Sequence, residues 1–250
     1  MRWEQGAQSA TRNAHASFSG SHRRPSKPGA APRGSAAARK WASEGYRVAI
    51  LSRSLDKLRA YEGEIPNCKG YACDVTNPED IVTAVNSIET ELGPIHTAVW
   101  NAGNGVWKTW DQIELDAFDN AMKTNVTGLL CLTKRVAPTM IETASQASAP
   151  SPPAILVTGA TASLRGKPFT VGFAPQKGAQ RLLAQALARD LSPKGVHVGL
   201  FIIDGGVGKD GSDETKLDPD AIAQTYWTVA NQPRTAWSFE TELRPSVENW

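Results

Sequence analysis

Residues 35–51 read Ser-Ala-Ala-Ala-Arg-Lys-Trp-Ala-Ser-Glu-Gly-Tyr-Arg-Val-Ala-Ile-Leu. The first ten are rich in Ala and predict a helix over 35–44, with Gly45 just past its end, where a C-cap glycine belongs. The run 47–51 (RVAIL) has the length and composition of a short buried strand. A helix closed by glycine and feeding a buried strand is half of a βαβ unit, and the chain repeats it. Outward from here the pattern predicts a helix over 54–61, a strand over 70–73 and a helix over 79–92. In that last helix Ile81, Val82, Val85, Ile88 and Leu92 share one face. A strand at 96–100, a long helix within 115–141, a strand at 154–158 (AILVT) and a helix at 178–191 follow. A strand at 196–203 (VHVGLFII), a helix at 219–231 and a strand at 236–243 complete the series. Continuous apolar strands separated by helices predict an α/β fold, a Rossmann-like, doubly wound parallel sheet in three layers. Such sheets bind ligands at the carboxyl ends of their strands.

The chain has 250 residues and 40% hydrophobic content, enough for one large domain. No run of apolar residues is long enough to span a membrane. The net charge of +2 hides an asymmetry. Residues 1–40 hold eight Lys and Arg against a single acid, Glu4, so the remainder carries five more acids than bases. The basic balance therefore belongs to the leader and implies no nucleic-acid partner. Residues 1–28 have no period of either kind and predict a disordered basic leader; 29–250 predicts a single domain. Cys68, Cys73 and Cys131 are odd in number and form no CxxC pair, and the four histidines are scattered. This predicts reduced thiols, no metal site and a cytoplasmic setting, with a mitochondrial one as the alternative that the Arg- and Ser-rich leader allows.

The candidate site residues fall at strand ends. Gly29, Arg33 and Gly34 precede the first Ala-rich helix, whose N-terminus can receive a pyrophosphate. At the next strand end a dinucleotide fold places an acid for a ribose 2′-OH; here Ser52 stands there and Arg53 follows. A guanidinium accepts a 2′-phosphate bidentately, which favours NADP(H) over NAD(H). Asp74 and Val75 close the predicted strand that begins at 70, and Asp74 can accept from an adenine amine. Asn101, Ala102 and Gly103 follow the predicted strand at 96–100, small enough to pass beneath a cofactor. Asn125 is a polar residue amid apolar ones in Thr124-Asn125-Val126-Thr127-Gly128.

The glycine turn, DV, NAG, TNVTG, a strand ending in TGA, Phe-x-x-x-Lys and a strand ending in IDGG occur in one order. In that order the chain resembles the short-chain dehydrogenase/reductase family from about residue 29 to its end. TGATASLRG and IDGG resemble one atypical branch of it. The resemblance implies hydride transfer between NADP(H) and a carbonyl or alcohol of a small-molecule substrate, and a homodimer or homotetramer. It implies site roles for Asn125 and Lys177, and a place for Asp204 and Gly205 at the cofactor.

Three departures stand out. The family begins with an apolar central strand just before the glycine turn, whereas 20–28 (GSHRRPSKP) holds two prolines and three basic residues. The first strand is therefore expected to be missing or replaced, and with it the glycine spacing: counting back from Gly45 reaches Gly34, then Pro32 and Pro28. The family tyrosine, four residues before the lysine, is Phe173, and its serine, thirteen earlier, is Ala160. Neither carries a hydroxyl; Thr158, Thr161 and Ser163 lie near enough to substitute, Ser163 one turn past the strand end. Pro175 between Phe173 and Lys177 is compatible only with the first turn of a helix. Two further expectations stay open: a dinucleotide- or partner-binding protein without turnover, and an incomplete gene product.

Overall fold

The computed structural model describes residues 14–18, 33–146 and 151–248. The strands are β1 (Ala14–Phe18), β2 (Arg47–Ser52), β3 (Cys68–Ala72), β4 (Ile95–Trp100), β5 (Ala154–Thr158), β6 (His197–Ile203) and β7 (Glu240–Leu243). They form one sheet in the order β3-β2-β1-β4-β5-β6-β7, parallel throughout. The helices are α1 (Arg33–Ser43), α2 (Leu55–Glu64), α3 (Pro78–Leu92), α4 (Leu115–Met122), α5 (Gly128–Ser145), α6 (Ala174–Leu191) and α7 (Pro219–Ala230). Among the described residues no helix is long and apolar enough to cross a membrane.

The sequence accounts for the three layers. In α3 the Asn77 side chain accepts from the Glu79 amide, Pro78 occupies the first turn, and Glu79 and Asp80 face the positive end of the helix dipole. Its Ile81, Val85 and Ile88 join Leu129, Leu132 and Val136 of α5 and Ala184 of α6 on one face of the sheet. Trp41 of α1, Leu58 and Tyr61 of α2, and Tyr226 and Val229 of α7 cover the other. Gly45 closes α1 with φ +82°, as its position predicts.

The leader needs correction. Residues 14–18 lie within the stretch read as disordered, yet they form the central strand, paired with β2 on one side and β4 on the other. Of the expectation that the first strand is missing or replaced, the first half fails: a strand drawn from the leader occupies its place. The strand is displaced in sequence, fourteen residues ahead of α1. It escapes notice because Ala14, His15, Ala16 and Ser17 include no large aliphatic side chain. The small alanines pack into the α3/α5 layer, while His15, fully buried, stacks on Trp41 with ring centroids 4.4 Å apart at 17°. The rest of the stretch 1–28, and Gly29 after it, lies outside the described residues.

Smaller differences have local causes. The long helix expected within 115–141 is broken by a π-turn at Lys123–Thr127. There the Asn125 side-chain amide donates to the Ala121 carbonyl at 2.8 Å, and the Gly128 amide bonds back to Lys123 instead of Thr124. Such single-turn bulges gather at functional sites. The helix expected at 178–191 starts earlier, at Ala174, so Pro175 does fall in its first turn.

Candidate functional site

The chain order turns back between β1 and β4, which opens a crevice at the carboxyl ends of the strands. Arg33 and Gly34 open α1 at this end. Ser52 is the last residue of β2; it is buried, and its Oγ accepts from the Ser54 amide at 3.2 Å. Arg53 follows with its side chain 58% exposed and its guanidinium 3.7 Å from Asp74 Oδ2. Asp74 Oδ1 accepts from the Thr76 amide at 2.9 Å and the Thr76 hydroxyl at 2.8 Å. Partial burial pushes this carboxyl up. The two Thr76 bonds and the Arg53 charge outweigh it and hold the group below the usual carboxylate range. Val75 is buried beside it, and Asn101, Ala102 and Gly103 leave β4, with Ala102 fully buried.

On the other side of the crevice a buried polar chain has formed. Lys177, on the inner face of α6, donates from Nζ to the carbonyl of Thr158, the last residue of β5, at 3.0 Å. It donates also to Gln180 Oε1 at 2.8 Å. Gln180 Nε2 in turn donates to the Asn125 carbonyl at 3.0 Å. The π-turn presents that carbonyl, and the Asn125 side chain anchors the turn by donating to the Asn104 carbonyl at 2.6 Å. Lys177, Gln180 and Asn125 are all buried, so their bonds form in a low dielectric, where an unpaired group is costly. Gln180 was missed in the sequence. Its signal is a polar residue three positions from Lys177, on the helix face that continues as Ala184 and Ala188.

Phe173 sits immediately before α6 and is nearly buried. Ala160 precedes a single 3₁₀ turn at Thr161–Ser163. The hydroxyls near by are mostly engaged: Thr161 Oγ1 donates to Asp204 Oδ1 at 2.5 Å, and Thr158 Oγ1 and Tyr226 Oη bond each other at 2.9 Å. Ser163 Oγ is buried and without a hydrogen-bond partner among the described residues. It lines an open cleft with Arg165, Thr170 and Ala174. Asp204, just past β6, is buried and also meets Arg244 at 2.9 Å and Arg165 at 3.7 Å. Gly205 follows it.

With this geometry in view, the family model described as short chain dehydrogenase matches residues 30–210. Glucose 1-dehydrogenase of Gluconobacter oxydans is 26% identical over 170 residues, which are 66% of this chain and 62% of that protein. The chain thus spans somewhat under two thirds of that relative. An uncharacterized oxidoreductase of Staphylococcus aureus is 25% identical over 212 residues, 81% of this chain and 87% of its own. A crystal structure of a short-chain dehydrogenase from Rhodopseudomonas palustris superposes with a TM-score of 0.77 at 27% identity, covering 94% of this chain and 99% of that one.

Proposed function

This chain belongs to the short-chain dehydrogenase family, and from that premise we propose that it is an NADP(H)-dependent oxidoreductase acting on a carbonyl or alcohol of a small molecule, with proton chemistry that bypasses the usual tyrosine. The observation that carries this reading is a pair of cations at the strand ends, on opposite sides of the crevice. Arg53 stands just past β2, and Lys177 is bonded to the last carbonyl of β5.

The residues fit a phosphorylated dinucleotide. Arg33 and Gly34, which open α1, would meet its pyrophosphate at the helix N-terminus. Ser52 and Arg53 would take the 2′-phosphate, and Asp74 and Val75 the adenine. Asn101, Ala102 and Gly103 would pass beneath the sugar. Lys177 would hold the nicotinamide ribose, and Asp204 and Gly205 would border the nicotinamide. When bound, the reduced nicotinamide supplies a hydride. The protein's own contribution is to orient and exclude water: Lys177 keeps its ammonium fixed through Thr158 and Gln180, and Asn125 holds Gln180. Assembly as a homodimer or homotetramer through α5 and α6, which leave Leu130 and Leu182 exposed, belongs to the same proposal.

A thermal melt of the full chain with NADPH, with NADH and with neither tests the reading. A cooperative transition raised by NADPH, and less by NADH, supports it. A transition that neither cofactor moves overturns it. Phe173 and Ala160 favour a second reading, a dinucleotide-binding protein without turnover. Cofactor binding with no consumption of NADPH across a panel of aldehydes, ketones and quinones would select it.

A further inference from the structure

An aromatic wall adjoins the buried lysine. The Val106 amide donates to the Gly172 carbonyl at 3.0 Å, which ties the segment after β4 to the turn before α6. Gly105 permits this approach, because a Cβ there would stand 2.2 Å from the Phe173 ring. Clamped in this way, Trp107 lies with its ring centroid 4.9 Å from Phe173 and 6.1 Å from Phe169, stacked on the latter at 27°. Phe173 is 8% exposed, but Trp107 and Phe169 are 55% and 47% exposed. An aromatic surface therefore runs from one helical turn before Lys177 out to solvent. Contiguous exposed apolar surface of this kind marks a binding site, and flat rings are its natural occupant.

The same place is poor in protons. Phe173 and Ala160 have no hydroxyl, Thr161 and Thr158 are committed to Asp204 and Tyr226, and the Ser163 hydroxyl, which lines the neighbouring cleft, is an aliphatic alcohol no more acidic than the alcohol product itself. Hydride addition to a saturated ketone leaves an alkoxide about as basic as hydroxide. Such a product needs an acid within the step.

Resting on the oxidoreductase reading above, we propose that the substrate is a quinone, a flat conjugated diketone stacked on Trp107, Phe169 and Phe173. One quinone oxygen takes the hydride: an O–H bond forms as the C–H bond of the dihydronicotinamide breaks. The ring becomes aromatic, and the displaced electron pair settles on the second oxygen as a hydroquinone monoanion. NADPH is oxidised by two electrons and the quinone is reduced by two. The monoanion is a phenolate, with a conjugate acid near the tyrosine value of about 10, so water supplies the last proton after the step. No general acid is asked of the protein. The departures at Phe173 and Ala160 and the aromatic wall then have one explanation.

The probe is 2-methyl-1,4-naphthoquinone, with cyclohexanone as the saturated comparison. Calorimetry on the cofactor-free chain measures binding, and NADPH consumption measures turnover. The expected result is naphthoquinone binding that Trp107→Ala and Phe169→Ala each weaken at least tenfold, with unchanged melting curves. Turnover of naphthoquinone should exceed that of cyclohexanone at least a hundredfold. If NADPH raises the melt but naphthoquinone does not bind, binds equally well to both variants, or reacts no faster than cyclohexanone, the quinone proposal is overturned and the oxidoreductase reading stands. If neither NADPH nor naphthoquinone binds, both fall.

Discussion

Lys177 Nζ donates to Gln180 Oε1 at 2.8 Å, one turn along the same buried helix face. The bond matters because Gln180 also donates to the Asn125 carbonyl: one neutral amide satisfies a buried cation and a buried carbonyl together. Gln180→Leu removes the donor from the Asn125 carbonyl and one acceptor from Lys177, which keeps its bond to the Thr158 carbonyl. We expect a loss of about 1–3 kcal/mol in stability, chiefly from the buried carbonyl left unsatisfied, and a rise in KM for NADPH larger than the fall in kcat. Urea unfolding and steady-state kinetics check this. A variant of wild-type stability and KM would remove Gln180 from the site.

Arg53 should decide between the two cofactors. Removing the guanidinium with Arg53→Gln forfeits charge-assisted bonds to a 2′-phosphate worth about 1.5–3 kcal/mol. NADPH affinity should fall roughly 10- to 100-fold by that measure, while NADH affinity barely moves. An equal effect on both would place the phosphate elsewhere.

Restoring the hydroxyls tests the missing proton. The double variant Phe173→Tyr with Ala160→Ser supplies an acid one turn from Lys177, and general acid catalysis contributes about 10²–10⁴ in rate. The gain should appear with cyclohexanone and be slight with naphthoquinone, whose product needs no acid. No gain with cyclohexanone would mean that Lys177 does not support this chemistry.

His15 predicts how stability depends on pH. Burial, and secondarily the neighbouring His96, lowers its pKa from 6.5 to about 3. The native state therefore keeps it neutral while the unfolded chain protonates near pH 6.5. The stability it contributes is complete above that value and is lost as pH falls towards 3, at a slope of about 1.4 kcal/mol per unit. Burial lowers His96 and His197 too, which steepens the fall. In urea unfolding between pH 7 and 4, His15→Phe keeps a ring against Trp41 and should reduce the slope by about one proton. An unchanged slope would contradict the buried, neutral imidazole.

Much of the architecture was legible because parallel strands buried on both faces leave plain apolar runs. β5 was read with its observed limits, and β2, β4 and β6 to within a residue at either end. β1 was not legible. Its alternation sets Ala14 and Ala16 against one layer and His15 and Ser17 against the other, and neither pair carries a strand signal. The burial of His15 depends on Trp41, a partner twenty-six positions away. Asn125 was visible as a polar residue in an apolar run and Lys177 through the family resemblance, and in the structure Gln180 links them. The link itself, Gln180, has no motif: only its place on a buried helix face marks it. The π-turn at Asn125 was hidden too, since it arises from a side-chain bond competing with the backbone ladder.

The placement of β1 has a consequence for the whole sheet. β2 and β4 share no hydrogen bonds, so within the sheet the pair β2–β3 and the group β4–β7 are joined through five residues alone. Arg53 and Asp74 ride on one of these parts, Asn125 and Lys177 on the other. A dinucleotide that reaches from Arg53 to Lys177 would thus bridge a seam, and β1 is the ruler that sets its width. Fraying of β1 would spread the two ends of the ligand apart before either end lost its own contacts, and a ligand gripping both would act as a clasp across that seam.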